Sequence, residues 1–115
     1  MNSKAIVTYR DNSCIGLIDK DFGDYYFSLI PKYLHAKKQK YQVHITIVRN
    51  FEGVTFDGHR ADEEFEFNYS PIIKDDDRYF YLECWSPVVD KIRLHYGLKR
   101  HRLNDCHHIT IGNKK

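Results

Sequence analysis

The sequence predicts an α+β domain in which the order strand, strand, helix, strand occurs twice. Three observations carry that expectation. Short runs alternate apolar and polar residues at a period of two, and two longer runs repeat apolar residues every three to four. The tetrapeptide His-Ile-Thr-Ile appears at 44–47 and again at 108–111. Each copy follows a helical pattern at the same distance, with Phe22 to His44 and Ser86 to His108 both 22 residues apart. At 115 residues and 42% hydrophobic, the chain is expected to form one domain, 1–115, able to close a core. An aromatic content of 15% argues against disorder.

The elements follow in order. Lys4–Tyr9 is rich in β-branched residues and reads as a strand closed by the polar stretch Arg10–Asn12. Ser13–Ile18 is a second strand. Phe22, Tyr26, Leu29, Ile30 and Tyr33 then recur at helical spacing, with Pro31 expected to kink or reset the helix because it lacks an N–H. Tyr41–Val48 puts Val43, Ile45 and Ile47 on one side and His44 and Thr46 on the other, a half-buried strand. Asn50–Glu64 reads as loop, and Glu64–Tyr69 alternates Phe65, Phe67 and Tyr69 with polar residues, an amphipathic strand.

A turn at Lys74–Asp77 leads to Arg78–Trp85, where Phe80, Leu82 and Cys84 oppose Tyr79, Tyr81, Glu83 and Trp85. Ser86 is a good N-cap, Pro87 takes the favoured first position of a helix, and Gly97 supplies its stop. Cys106–Ile111 is the last strand. Because each helix joins two strands, the two strands it joins are expected to run parallel, with the helix on one sheet face.

The polar positions of the repeat carry the chemistry. Alternate strand residues share a face, so His44 and Thr46 stand together, as do His108 and Thr110. If the helices cover the Ile faces, the His and Thr side chains project from the open face. Two imidazoles and two hydroxyls converging there suit a phosphodiester. One neutral imidazole takes a proton from the attacking hydroxyl or water, and one imidazolium protonates the leaving oxygen. The hydroxyls donate to phosphoryl oxygens as charge develops. This scheme requires no metal and no cofactor.

On these two H-x-T motifs, each followed by a hydrophobic residue, the chain resembles the 2H phosphoesterase superfamily. That superfamily includes RNA 2′–5′ ligase-like proteins, cyclic phosphodiesterases and phage enzymes that degrade cyclic-nucleotide defence signals. The resemblance implies a duplicated, bilobal fold with a central cleft and metal-independent catalysis by His44, Thr46, His108 and Thr110. It looks strongest to the compact phage and viral members. It implies cleavage of a cyclic (oligo)nucleotide or short oligoribonucleotide linkage, with RNA-end processing at a 2′,3′-cyclic phosphate as the alternative within the same chemistry. A nucleotide- or RNA-binding module without activity is the alternative from another class.

The other candidates carry less. Tyr81, Glu83 and Trp85 share a strand face that can line the same cleft, the aromatics to stack a base and Glu83 to hold a base edge or ribose. Packing over the sheet explains Trp85 equally well, and Tyr79 is assigned to packing. His107 points away from His108 and reads as structural; His35, His59, His95 and His101 read as solvent-facing or capping groups. Zinc is a weak competitor, since the run His107–Thr110 gives no H-x3–5-H spacing and the cysteines are unpaired.

The three cysteines, Cys14, Cys84 and Cys106, are odd in number and far apart, which predicts no disulfide framework and a cytoplasmic setting, the host cytoplasm for a phage-encoded member. No run approaches the roughly 18 apolar residues of a membrane span, and MNSKAIVTYRD lacks a signal-peptide apolar region. The basic runs Lys37–Lys40 and Lys99–Arg102 are offset by acidic runs, and the net charge is only +2. The expected partner is a small nucleotide or oligonucleotide, with neither a membrane nor long double-stranded nucleic acid. A monomer fits, though the sequence leaves the oligomeric state open.

Overall fold

The computed structural model describes residues 1–101 and 106–114. The elements are β1 (Asn2–Arg10), β2 (Ser13–Ile18), α1 (Lys20–Ser28), β3 (His44–Val48), β4 (Glu64–Tyr69), β5 (Lys74–Asp75), β6 (Tyr79–Trp85), α2 (Pro87–His95) and β7 (His107–Asn113). The strands lie in the order β4-β1-β2-β3-β7-β6-β5, and β4 also pairs with β6. That extra pairing, Asn68↔Trp85 and Tyr69↔Cys84, closes six strands into a barrel, with the two-residue β5 outside it on β6. Closure leaves these six strands paired on both sides, which removes exposed edges.

This architecture corrects the expected fold. Among the described residues the domain is a closed antiparallel barrel with two short helices, not a bilobal α+β pair of β-β-α-β halves. Both helical connections return the chain antiparallel: β2 pairs with β3 across α1, and β6 with β7 across α2. The right-handed crossover rule governs parallel neighbours, and alternation in a single strand does not reveal which neighbour it will have. The helix therefore bridges two adjacent antiparallel strands, and the two halves merge at the β3–β7 seam, where Ile45 pairs with Ile109.

Local chemistry explains most element ends. The β1–β2 hairpin turns on Asp11 and Asn12, at φ 52° and 58°, a left-handed pair that Asp and Asn accept more readily than most residues. Asp19 caps α1 through the Asp21 amide, and Ser86 caps α2 through the Val89 amide, with Pro87 at the first position. Leu29 closes α1 before Pro31, and a 3-10 turn, Lys32–Leu34, follows it.

Ala5, Val7, Ile18, Ile45, Ile47, Phe65, Phe67, Leu82, Ile109 and Ile111 fill the interior. Tyr26 of α1 and Val89 and Ile92 of α2 join the same core. Burying each large side chain contributes about 1.5–3 kcal/mol. Packing is close at Gly16, where an added Cβ would lie 2.8 Å from Phe65 Cζ. Among the described residues, no helix is long and apolar enough to cross a membrane.

Candidate active site

The seam between β3 and β7 builds the site. From the Ile45↔Ile109 register, antiparallel pairing sets His44 across from Thr110 and Thr46 across from His108. The two motifs are thus related by a local two-fold axis between the isoleucines. His44 and His108 become diagonal neighbours, a relation that separates strand positions by about 7–8 Å. All four side chains line one cleft of about 430 Å³, together with Arg49, Asp76, Tyr79 and Tyr81. The structure therefore brings the four residues singled out by the repeat to one place, while the isoleucines between them are buried.

Each motif is followed by a register shift. Cys14 pairs with Val48 but Ile15 with Thr46, leaving Ile47 as the extra residue of β3. Phe80 pairs with Gly112 but Tyr81 with Thr110, leaving Ile111 as the extra residue of β7. A bulge bends a strand and re-aims its side chains. Here it lets two successive residues, Ile47 with Val48 and Ile111 with Gly112, both be buried directly after a threonine that faces the cleft.

The two histidines sit in different fields. His44 Nδ1 lies 2.8 Å from the Gln42 carbonyl oxygen. A carbonyl only accepts, so Nδ1 carries the proton and Nε2 of the neutral ring keeps its lone pair. Burial holds the His44 pKa below its ordinary value; the Gln42 bond opposes this, and Arg10 and Arg49 reinforce it. His108 stacks on Tyr81 with ring centroids 4.3 Å apart. Its pKa is also lowered, first by burial, while Glu83 and Asp76 pull it back up against Arg49 and Lys74. Carboxylates thus favour the His108 cation, and guanidinium groups disfavour the His44 cation.

The remaining predicted residues divide. Tyr81 lines the cleft beside His108. Glu83 faces His108 across the β6–β7 ladder, where Lys74 Nζ holds it at 2.7 Å and the Cys106 thiol donates to it at 3.4 Å. Trp85 is 40% exposed at the far end of β6, opposite Asn68, and is not among the residues lining the cleft. Tyr79, assigned to packing from sequence, is instead 40% exposed and forms part of the cleft wall.

His107 is buried with Nε2 3.1 Å from Asp90 Oδ1. Glu83, Cys106 and His108 form one group of potential metal donors, and Asp90, His101 and His107 another, among the described residues. Their ligand atoms already contact one another, through Cys106 to Glu83 and through both imidazoles to Asp90. We assign neither as a metal centre.

Sequence reasoning missed Arg10, Arg49 and Arg93. Arg93 is 3% exposed and holds the cleft rim: it pairs with both carboxylate oxygens of Glu52, at 2.9 and 3.2 Å, and donates to the Ile47 carbonyl at 2.7 Å. No motif marks these arginines: Arg49 and Arg93 line the cleft, and Arg10 acts on His44 only through its charge. Comparison with protein-family models, curated proteins and solved structures gives no match for this chain. No comparison therefore supports membership of the 2H phosphoesterase superfamily, and the closed barrel does not fit the bilobal fold that the resemblance implied.

Proposed function

We propose that this protein is a metal-independent phosphodiesterase that cleaves a cyclic (oligo)nucleotide or a short oligoribonucleotide. The observation that carries this reading is the pair of H-x-T motifs meeting across one antiparallel seam in one cleft. The surrounding charges support distinct roles for the two rings. His44, with Nδ1–H held by Gln42, offers the Nε2 lone pair as general base. His108, facing Glu83 and Asp76, is the better cation and serves as general acid.

With a 3′–5′ ribonucleotide linkage, the adjacent 2′-hydroxyl gives its proton to His44 and its oxygen attacks phosphorus. The P–O5′ bond breaks, and the leaving oxygen takes a proton from His108. The products are a 2′,3′-cyclic phosphate and a 5′-hydroxyl. With a 2′,3′-cyclic phosphate as substrate, water replaces the hydroxyl and the product is a phosphomonoester. Thr46 and Thr110 donate to the non-bridging oxygens as their charge grows, and Arg49 offsets charge in the cleft. Both imidazoles and both hydroxyls come from the protein, so no step calls for a metal. Such an enzyme can degrade a nucleotide immune signal.

The test is a panel of cyclic dinucleotides, linear 2′–5′ and 3′–5′ oligoribonucleotides and nucleoside 2′,3′-cyclic phosphates, incubated with the purified protein in EDTA. Cleavage of at least one, with products identified by mass, supports the assignment. Binding without turnover of any would make the protein a nucleotide-binding module. A strict requirement for a divalent ion would contradict the mechanism.

A further inference from the structure

A second cavity adjoins the cleft at Thr110. It measures about 250 Å³, lies between α1 and the 38–43 segment, and is lined by Lys20, Asp24, Phe27, Lys38, Lys40 and Tyr41 among others. Thr110 lines both this cavity and the histidine cleft. The basic run Lys37–Lys40 therefore borders the site rather than a distant loop.

Its position is built. The Lys37 amide donates to the Asn113 carbonyl and the Asn113 amide to the Lys37 carbonyl, both at 2.8 Å, pinning the segment to the end of β7. The Gln39 amide also bonds the Asn113 side chain.

Charge and shape point to one kind of ligand group. Three lysines face one carboxylate, Asp24, which lies 3.4 Å from Lys20 Nζ and 3.5 Å from Lys38 Nζ. Lys40 Nζ sits 5.6 Å above the Tyr41 ring and Lys38 Nζ 5.7 Å above the Phe27 ring. The excess of positive charge suits a phosphate, and the exposed Tyr41 ring offers a face for a base.

We propose that this cavity is a second phosphate subsite. It would receive the phosphate one nucleotide away from the bond being cleaved. Resting on the phosphodiesterase reading, it narrows the substrate to one carrying at least two phosphates, such as a cyclic dinucleotide or a phosphorylated oligonucleotide. A nucleoside 2′,3′-cyclic phosphate, with a single phosphate, leaves the subsite empty.

The experiment compares cyclic di-AMP with adenosine 2′,3′-cyclic phosphate on wild type and on Lys38→Ala/Lys40→Ala. Binding is measured by calorimetry in low salt and turnover on the same samples. Wild type should bind cyclic di-AMP more tightly, and the double variant should lose roughly tenfold of that preference. Lys40→Glu should lower it further. An unchanged preference in both variants, including equal weakening toward both ligands, overturns the subsite, as does a wild type that binds neither ligand. Lysine-dependent preference with no turnover of either compound, nor of any other member of the substrate panel, keeps the subsite and refutes the phosphodiesterase.

Discussion

His44 and His108 are each followed by Ile-Thr-Ile but sit in different surroundings, and that difference is what assigns them distinct roles in the proposed reaction. Removing either should lower turnover by about 10²–10⁴, the usual contribution of a positioned acid or base. Thr46→Val and Thr110→Val should lower kcat more than they raise KM, because a donor to developing charge acts mainly in the transition state. The pH profile follows from the fields around the rings. Both pKa values lie below the ordinary histidine value, burial being the main cause. The bell-shaped kcat/KM profile should therefore peak below about pH 6.5, where a neutral His44 and a charged His108 coexist. A maximum well above that value would mean that these two rings do not set the profile. The motifs made the four residues legible because polar positions repeated within a strand have a single geometric meaning. Arg10 and Arg49 were illegible, since their influence comes from a hairpin turn and a strand end that only folding brings together. His95 is a similar case: it stacks on His59 at 3.7 Å and pairs with Asp57, whose carboxyl is held at about 2, contacts that no spacing signals.

At the level of elements, the site depends on two bulged strands and on α2, whose Arg93 ties Ile47 to Glu52. Arg93→Ala would remove two hydrogen bonds to the half-buried Glu52 carboxylate and the donor to the Ile47 carbonyl, and should destabilise the fold by about 1–3 kcal/mol in urea unfolding. Replacing both, Arg93→Met with Glu52→Leu, should recover part of that loss, because the carboxylate that the guanidinium faced is removed with it. If the single variant unfolds like wild type, the rim does not depend on this pair. Strand and helix boundaries were largely readable, since alternation, Ser86-Pro87 and Pro31 act locally. Pairing was not. A helix between two strands fits a parallel crossover or an antiparallel return equally well, and the closing contacts of β4 with β6 carry no sequence mark. Arg102, the last residue of the basic run Lys99–Arg102, lies outside the described residues.

Across the whole molecule, the barrel surrounds one core and carries its polar cleft on the outside of a single seam. Burial is the main cause that lowers the pKa of three histidines, His44, His107 and His108. Their folded pKa values lie below the unfolded value near 6.5, so the unfolded chain binds more protons in the window beneath it. Stability should consequently be lost as pH falls below about 6.5, and His107→Gln should flatten that slope in thermal melts recorded between pH 7 and 5. A slope unaffected by this substitution would assign the acid sensitivity to other groups. The fold class expected from sequence was wrong, yet the convergence it implied is present, because two antiparallel neighbours bring repeated motifs together as effectively as two lobes would. The central claim is that these motifs form one acid–base pair, and the most direct measurement is turnover by His44→Ala, His108→Ala and the double variant on whichever substrate wild type cleaves in EDTA. Each single variant should lose nearly as much activity as the double, since base and acid act in the same step. Undiminished turnover in either single variant would contradict the account.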